Sequence, residues 1–128
     1  MVERAKELAT DQLQFFMSIS DAADWLGSVE VMHSNGALQY TPEPERTLRQ
    51  LCALNAGKML WQRVVLSANS TERDIQSSLL GENGPGSIRV REKTVRYTRT
   101  KIPENVFLDA HASYTLAERG ADWFRFIK

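Results

Sequence analysis

Apolar residues recur at helical spacing from the start of the chain. Val2, Ala5, Ala9, Leu13 and Phe16 share one side, with Glu3, Glu7 and Asp11 between them, and predict an amphipathic helix up to about Met17. Ser20 is placed to cap a second helix in which Ala22, Trp25, Leu26, Val29 and Met32 repeat the period, and Asn35-Gly36 supplies its stop. Residues 1–41 therefore read as an N-terminal helical hairpin and a dimerisation element. Pro42 and Pro44 in "QYTPEPERT" disfavour helix in the residues before them and mark a linker. The run "ERTLRQLCALNAGKMLWQRVVLS" follows, with Leu48, Leu51, Cys52, Met59, Leu60, Val64 and Leu66 covering more than one face. It predicts a long helix central to the core, with a break or a close crossing at Gly57.

"NSTERDIQSSLLGENGPG" predicts a short helix. Ser70 or Thr71 is its N-cap, Glu72 and Asp74 lie in its first turn, Ile75, Leu79 and Leu80 form its buried stripe, and Gly81 ends it. The glycine-rich loop after it lacks the Lys-Ser/Thr and the preceding strand of a phosphate-binding P-loop, and reads as a turn. In the last segment, Val106–Leu108 and Tyr114–Leu116 are strand-prone around "DAHAS" and suggest a short hairpin. A final helix is expected from about Ala117, with Leu116, Gly120, Trp123, Phe124 and Ile127 inward.

Composition adds limits. With 128 residues, 42% of them apolar and 25% charged, the chain belongs with ordinary soluble globular proteins. The lone Cys52 excludes an internal disulfide and suits a reducing compartment, and no stretch reaches the roughly 18 apolar residues of a membrane span. The expected location is the cytoplasm.

Charge changes the picture more. The net charge is zero, yet "SIRVREKTVRYTRTKIP", Ser87 to Pro103, holds six basic residues against the single acid Glu92. As a strand, this segment puts Arg89, Arg91 and Lys93 on the same face as Val95 and Tyr97, mixing charge with apolar residues. As a helix from about Val90, it puts Val95, Thr98 and Ile102 on one side and Lys93, Arg96, Tyr97 and Thr100 on the other, with Pro103 as its stop. The helical reading separates the chemistry better, although Val, Thr and Tyr are weak helix formers.

The order of parts now resembles a winged helix-turn-helix. "RDIQSSLL" looks like the first helix of the motif, "KTVRYTRTKI" resembles its recognition helix, and "YTLAERGADWF" is similar to the closing strand and helix start of winged-helix bacterial and archaeal regulators. The likeness covers about Ser70 to Lys128. The turn between the two helices is several residues longer than the family's, which leaves open a hairpin over Arg89 to Lys101. The resemblance implies a mainly α fold with a small β-hairpin, in which a winged-helix domain over residues 42–128 follows the N-terminal helices. It also implies a dimeric protein that binds double-stranded DNA, as a transcriptional regulator or a replication or partition accessory factor. Lys93, Thr94, Arg96, Tyr97 and Thr100 would contact base edges or backbone, and Arg89, Arg91, Arg99 and Lys101 mainly phosphates. The alternative is a protein-interaction adaptor on the same scaffold; single-stranded nucleic acid stacking on Tyr97 is a third reading.

No reaction centre emerges. His33 and His111 are far apart and stand in no metal-binding spacing, so neither a metal nor another cofactor is expected. Asp109 and His111 lack a serine or cysteine in a nucleophile elbow, and Cys52 lies on an apolar helix face. Satisfied surface or loop histidines and no catalysis are the expectation.

Overall fold

Seven strands and four short helices make up residues 2–79 and 94–128, the part of the chain that the computed structural model describes. The helices are α1 (Val2–Ala5), α2 (Ile19–Leu26), α3 (Pro44–Ala53) and α4 (Glu104–Ala110). The strands are β1 (Val31–Asn35), β2 (Lys58–Gln62), β3 (Leu66–Ser67), β4 (Glu72–Leu79), β5 (Thr94–Pro103), β6 (Thr115–Arg119) and β7 (Phe124–Ile127). They form two mixed sheets, ordered β1-β2-β7-β6 and β3-β5-β4. The expected mainly helical fold, a winged helix behind a helical hairpin, is therefore incorrect.

Each error has a local cause. At the N-terminus, α1 lasts four residues and passes into a single 3-10 turn, Lys6–Leu8. The helix α2 is capped by Ser18, whose Oγ accepts the Asp21 amide at 3.1 Å, and it ends at Gly27 with φ 71°. Val29 and Met32 continue its period in sequence but lie beyond that stop, and Met32 is buried in β1.

The long run after Pro44 is two elements of different period. Leu48 buries the inner face of α3, and Asn55, at φ 59°, turns the chain into β2. There Met59 and Trp61 point inward while Lys58 and Gln62 point out. Gly57 is the close crossing expected of it, since a Cβ there would sit 3.2 Å from the Glu30 carbonyl oxygen.

At the C-terminus, Val106, Phe107 and Leu108 belong to α4, not to a strand, and the expected last helix is the antiparallel pair β6-β7. Phe124 and Phe126 alternate inward along β7, a period of two that the helical reading of "ADWFRFIK" passed over.

The core lies between the four-stranded sheet and the helices α3 and α4. Leu48, Met59, Trp61, Ile102, Phe107, Phe124 and Phe126 are all essentially inaccessible there. His111 joins them. Its ring stacks on Phe126 with centroids 3.9 Å apart, its Nε2 faces the Trp61 Nε1 at 2.9 Å, and its Nδ1 lies 2.7 Å from the Phe107 carbonyl. The expected surface or loop histidine is thus a fully bonded core residue. Among the described residues, no helix is long and apolar enough to cross a membrane.

Candidate functional site

The basic segment is a strand. From Thr94 to Pro103 it forms β5, and β4 pairs with it antiparallel from Glu72↔Lys101 to Leu79↔Thr94, giving a two-stranded ribbon eight residue pairs long. Among the described residues neither the first helix of a helix-turn-helix nor its recognition helix is present, because "RDIQSSL" and "TVRYTRTKI" lie in the two strands of this ribbon. Ile75, expected on a buried stripe, is 71% exposed.

The ribbon is fixed at its base. Ile102 is buried in the core, Ile102 and Pro103 pair with β3, and α4 starts immediately afterwards. Thr71 Oγ1 donates to Glu45 Oε1 at 3.0 Å, tying the start of β4 to α3. Tyr40, on a 3-10 turn over Leu38–Tyr40, props the ribbon from behind. Its hydroxyl donates to Gln76 Oε1 at 2.7 Å and its ring meets Tyr97 edge-on at 5.3 Å.

Alternation along the two strands sorts the charge. Glu72, Asp74, Gln76 and Ser78 share the inner face with Val95, Tyr97, Arg99 and Lys101. Arg73, Ile75, Ser77 and Leu79 share the outer face with Thr94, Arg96, Thr98 and Thr100. Both carboxylates of the ribbon are on the inner face and both are used. Asp74 accepts from Arg99 Nε at 2.9 Å and from Nη2 at 2.6 Å, and Lys101 Nζ lies 3.4 Å from both Glu72 and Asp74. Hydrogen bonding to Arg99 holds the Asp74 carboxyl below its ordinary range, and the same bonds raise Arg99 further.

The sequence-derived site residues therefore divide. Thr94 and Arg96 are exposed on the outer face, and Thr100, also on that face, is buried at the ribbon's base. Tyr97, Arg99 and Lys101 lie inside, Tyr97 with its hydroxyl 2.7 Å from Ser78 Oγ. Arg89, Arg91 and Lys93 lie outside the described residues, as does the "GENGPG" loop. Arg73 joins Arg96 on the outer face and was not foreseen, because the helical reading of "TERDIQSSLL" gave it no place beside the basic segment. Among the described residues, neither Arg73 nor Arg96 has a carboxylate within 4 Å, although Arg73 borders a shallow hollow that also includes Glu43 and Glu45.

Behind the inner face is an open cleft of about 530 Å³ with a mixed polar and apolar lining, bordered by Gln39, Tyr40, Arg63, Gln76, Tyr97 and Asp122 among others. No local motif marked Arg63 or Asp122; the fold brings them together. Elsewhere, burial pushes the Cys52 thiol up to about 11, so it is no nucleophile at neutral pH. Among the described residues, no cluster of His, Cys, Asp and Glu is arranged to hold a metal ion. No family model, curated protein or solved structure matches this chain.

Proposed function

We propose that the protein binds double-stranded DNA through the outer face of the β4-β5 ribbon, as a small regulator or a replication or partition accessory factor. The major groove admits a two-stranded β-ribbon, and strands read DNA in several protein classes. The observation that carries the reading is the sorting of charge. Arg73, Arg96, Ser77, Thr94 and Thr98 share the exposed face, and the ribbon's carboxylates share the other. Guanidinium groups without acid partners suit phosphates or guanine edges, and hydroxyls suit phosphate oxygens. Arg89, Arg91 and Lys93 add three cations to the same stretch of sequence. The lone Cys52 suits a cytoplasmic setting, and the exposed Leu13, Met17, Trp25 and Leu26 supply an apolar surface for a homodimer.

Fluorescence anisotropy of a labelled random-sequence duplex at several salt concentrations tests this. Binding should weaken with salt, the two described outer-face arginines contributing a slope of about −1.8 at about −0.9 per phosphate. It should fall sharply in the Arg73→Ala/Arg96→Ala variant. Absence of binding at low salt rejects the reading.

A protein partner is the second reading, and Ile75 and Leu79 favour it, 71% and 42% exposed on the same outer face. That reading expects no duplex binding and a partner whose capture is lost in Ile75→Asp.

A further inference from the structure

The cleft behind the ribbon is not used by DNA binding on the outer face. Its volume, about 530 Å³, falls within the roughly 300–1,000 Å³ common for small-molecule sites.

Arg63 is the residue in it whose conformation asks for a reason. Its φ of 52° is left-handed, a conformation that residues with a side chain adopt uncommonly. Three contacts hold it there. The Gln39 amide donates to its carbonyl at 3.0 Å, its Nε donates to Asn35 Oδ1 at 2.7 Å, and its guanidinium lies over Gly36. A Cβ at Gly36 would be 3.3 Å from Arg63 Nε and 3.4 Å from Nη2, tight enough to shift the guanidinium by a few tenths of an ångström; Gly36 itself has φ 62°. Strained backbone sustained by surrounding contacts is characteristic of ligand sites.

Held in this way, Arg63 presents both terminal nitrogens to solvent, with no hydrogen-bond partner for them among the described residues. Arg99 differs in being paired, its Nε and Nη2 both donating to the Asp74 carboxylate. Asp122 borders the same cleft and a second hollow that it shares with Arg63, Asn35, Gln62 and Trp123. Yet Asp122 and Arg63 form no ion pair within 4 Å, and no other described cation reaches Asp122. An exposed guanidinium anchored at Nε and an exposed, unpaired carboxylate border one cleft, which suits a ligand that carries an oxyanion and also N–H or O–H donors. Tyr40 and Tyr97 add aromatic surface for a flat ring. A nucleoside monophosphate has all three parts.

We propose that this cleft binds a nucleoside 5′-phosphate, with Arg63 on the phosphate, the tyrosines beside the base, and Asp122 accepting from ribose or base. The planar fork of arginine suits a phosphate in paired hydrogen bonds. The same group occurs free or at the end of a nucleic-acid strand.

Calorimetric titration of the full chain with AMP, adenosine, inorganic phosphate and a 5′-phosphorylated single-stranded oligonucleotide tests the assignment. AMP should bind more tightly than adenosine or phosphate. Arg63→Gln should weaken AMP about tenfold to a hundredfold, the range for a hydrogen bond to a charged group. Asp122→Asn should weaken AMP and adenosine while leaving inorganic phosphate unchanged, and carries the test if Arg63→Gln lowers the melting temperature. Arg96→Ala should leave AMP binding unchanged. Tighter, Arg63-dependent binding of the oligonucleotide assigns the site to a strand end, and the reverse order to a free nucleotide. No heat with millimolar AMP, or AMP affinity unaffected by both Arg63→Gln and Asp122→Asn, overturns the proposal.

Discussion

The indole Nε1 of Trp61 donates to Nε2 of His111 at 2.9 Å, and this bond sets the state of the imidazole. Indole is a donor only, so Nε2 must be unprotonated and the ring proton sits on Nδ1, donated to the Phe107 carbonyl 2.7 Å away. Burial holds the His111 pKa below its usual value near 6.5. The folded ring stays neutral where the unfolded chain takes up a proton.

A pH dependence of stability follows. The folded pKa is depressed, so the unfolded state binds more protons below pH ~6.5 and stability falls with acid, by at most about 1.4 kcal/mol per pH unit for one group. Above that pH the contribution is complete. Urea unfolding between pH 7.5 and 5 should show the decline. His111→Phe should remove it in that window, while leaving the Trp61 N–H without an acceptor at a cost of about 1–3 kcal/mol.

The two arginines of β5 should separate in DNA titrations. Arg96 is exposed on the outer face, whereas Arg99 is held by Asp74 on the inner one. Arg96→Ala should lower the magnitude of the salt slope by about 1, the change for one lost phosphate contact. Arg99→Ala should leave that slope unchanged. Equal loss in both variants would show that the sorting of charge by face does not govern binding.

Tyr40 gives a local stability test. Tyr40→Phe keeps the edge contact with Tyr97 but removes the bond to Gln76 Oε1. The loss should be about 0.5–1.5 kcal/mol. It should appear in hydrogen exchange as faster opening of β4 and β5, with β2 and β7 unaffected, because those strands are held by the aromatic core.

Much of the local chemistry was legible in the sequence, and the ribbon shows why the fold was not. Mixed charge and apolar residues argue against a strand only if one face must be buried. Both faces of this ribbon are partly solvated, and cross-strand pairs such as Arg99–Asp74 satisfy charges that no single-strand pattern reveals. Ile75 and Leu79 then imitate a buried helical stripe while facing solvent. A similar ambiguity joined α3 to β2, where the stop lies in the left-handed backbone of Asn55 and not in a Pro or Gly signal. Gly57, the basic cluster and the central place of Leu48 and Met59 were readable because each rests on composition or local sterics. Arg63 and Asp122 were not, because 58 residues separate them and only the fold unites them at one cleft.

Two glycines separate backbone strain from ligand geometry. Gly36 and Gly27 both have left-handed φ, 62° and 71°, so alanine at either should destabilise the chain by roughly 1 kcal/mol. Their surroundings differ. A Cβ at Gly27 meets nothing within 4 Å, whereas one at Gly36 presses on the Arg63 guanidinium. Gly36→Ala should therefore weaken AMP binding beyond its effect on thermal stability, and Gly27→Ala should lower the melting temperature without changing AMP affinity. If the two variants behave alike toward AMP, the seat of Arg63 over Gly36 plays no part in binding and the conformation at residue 63 has only a structural role.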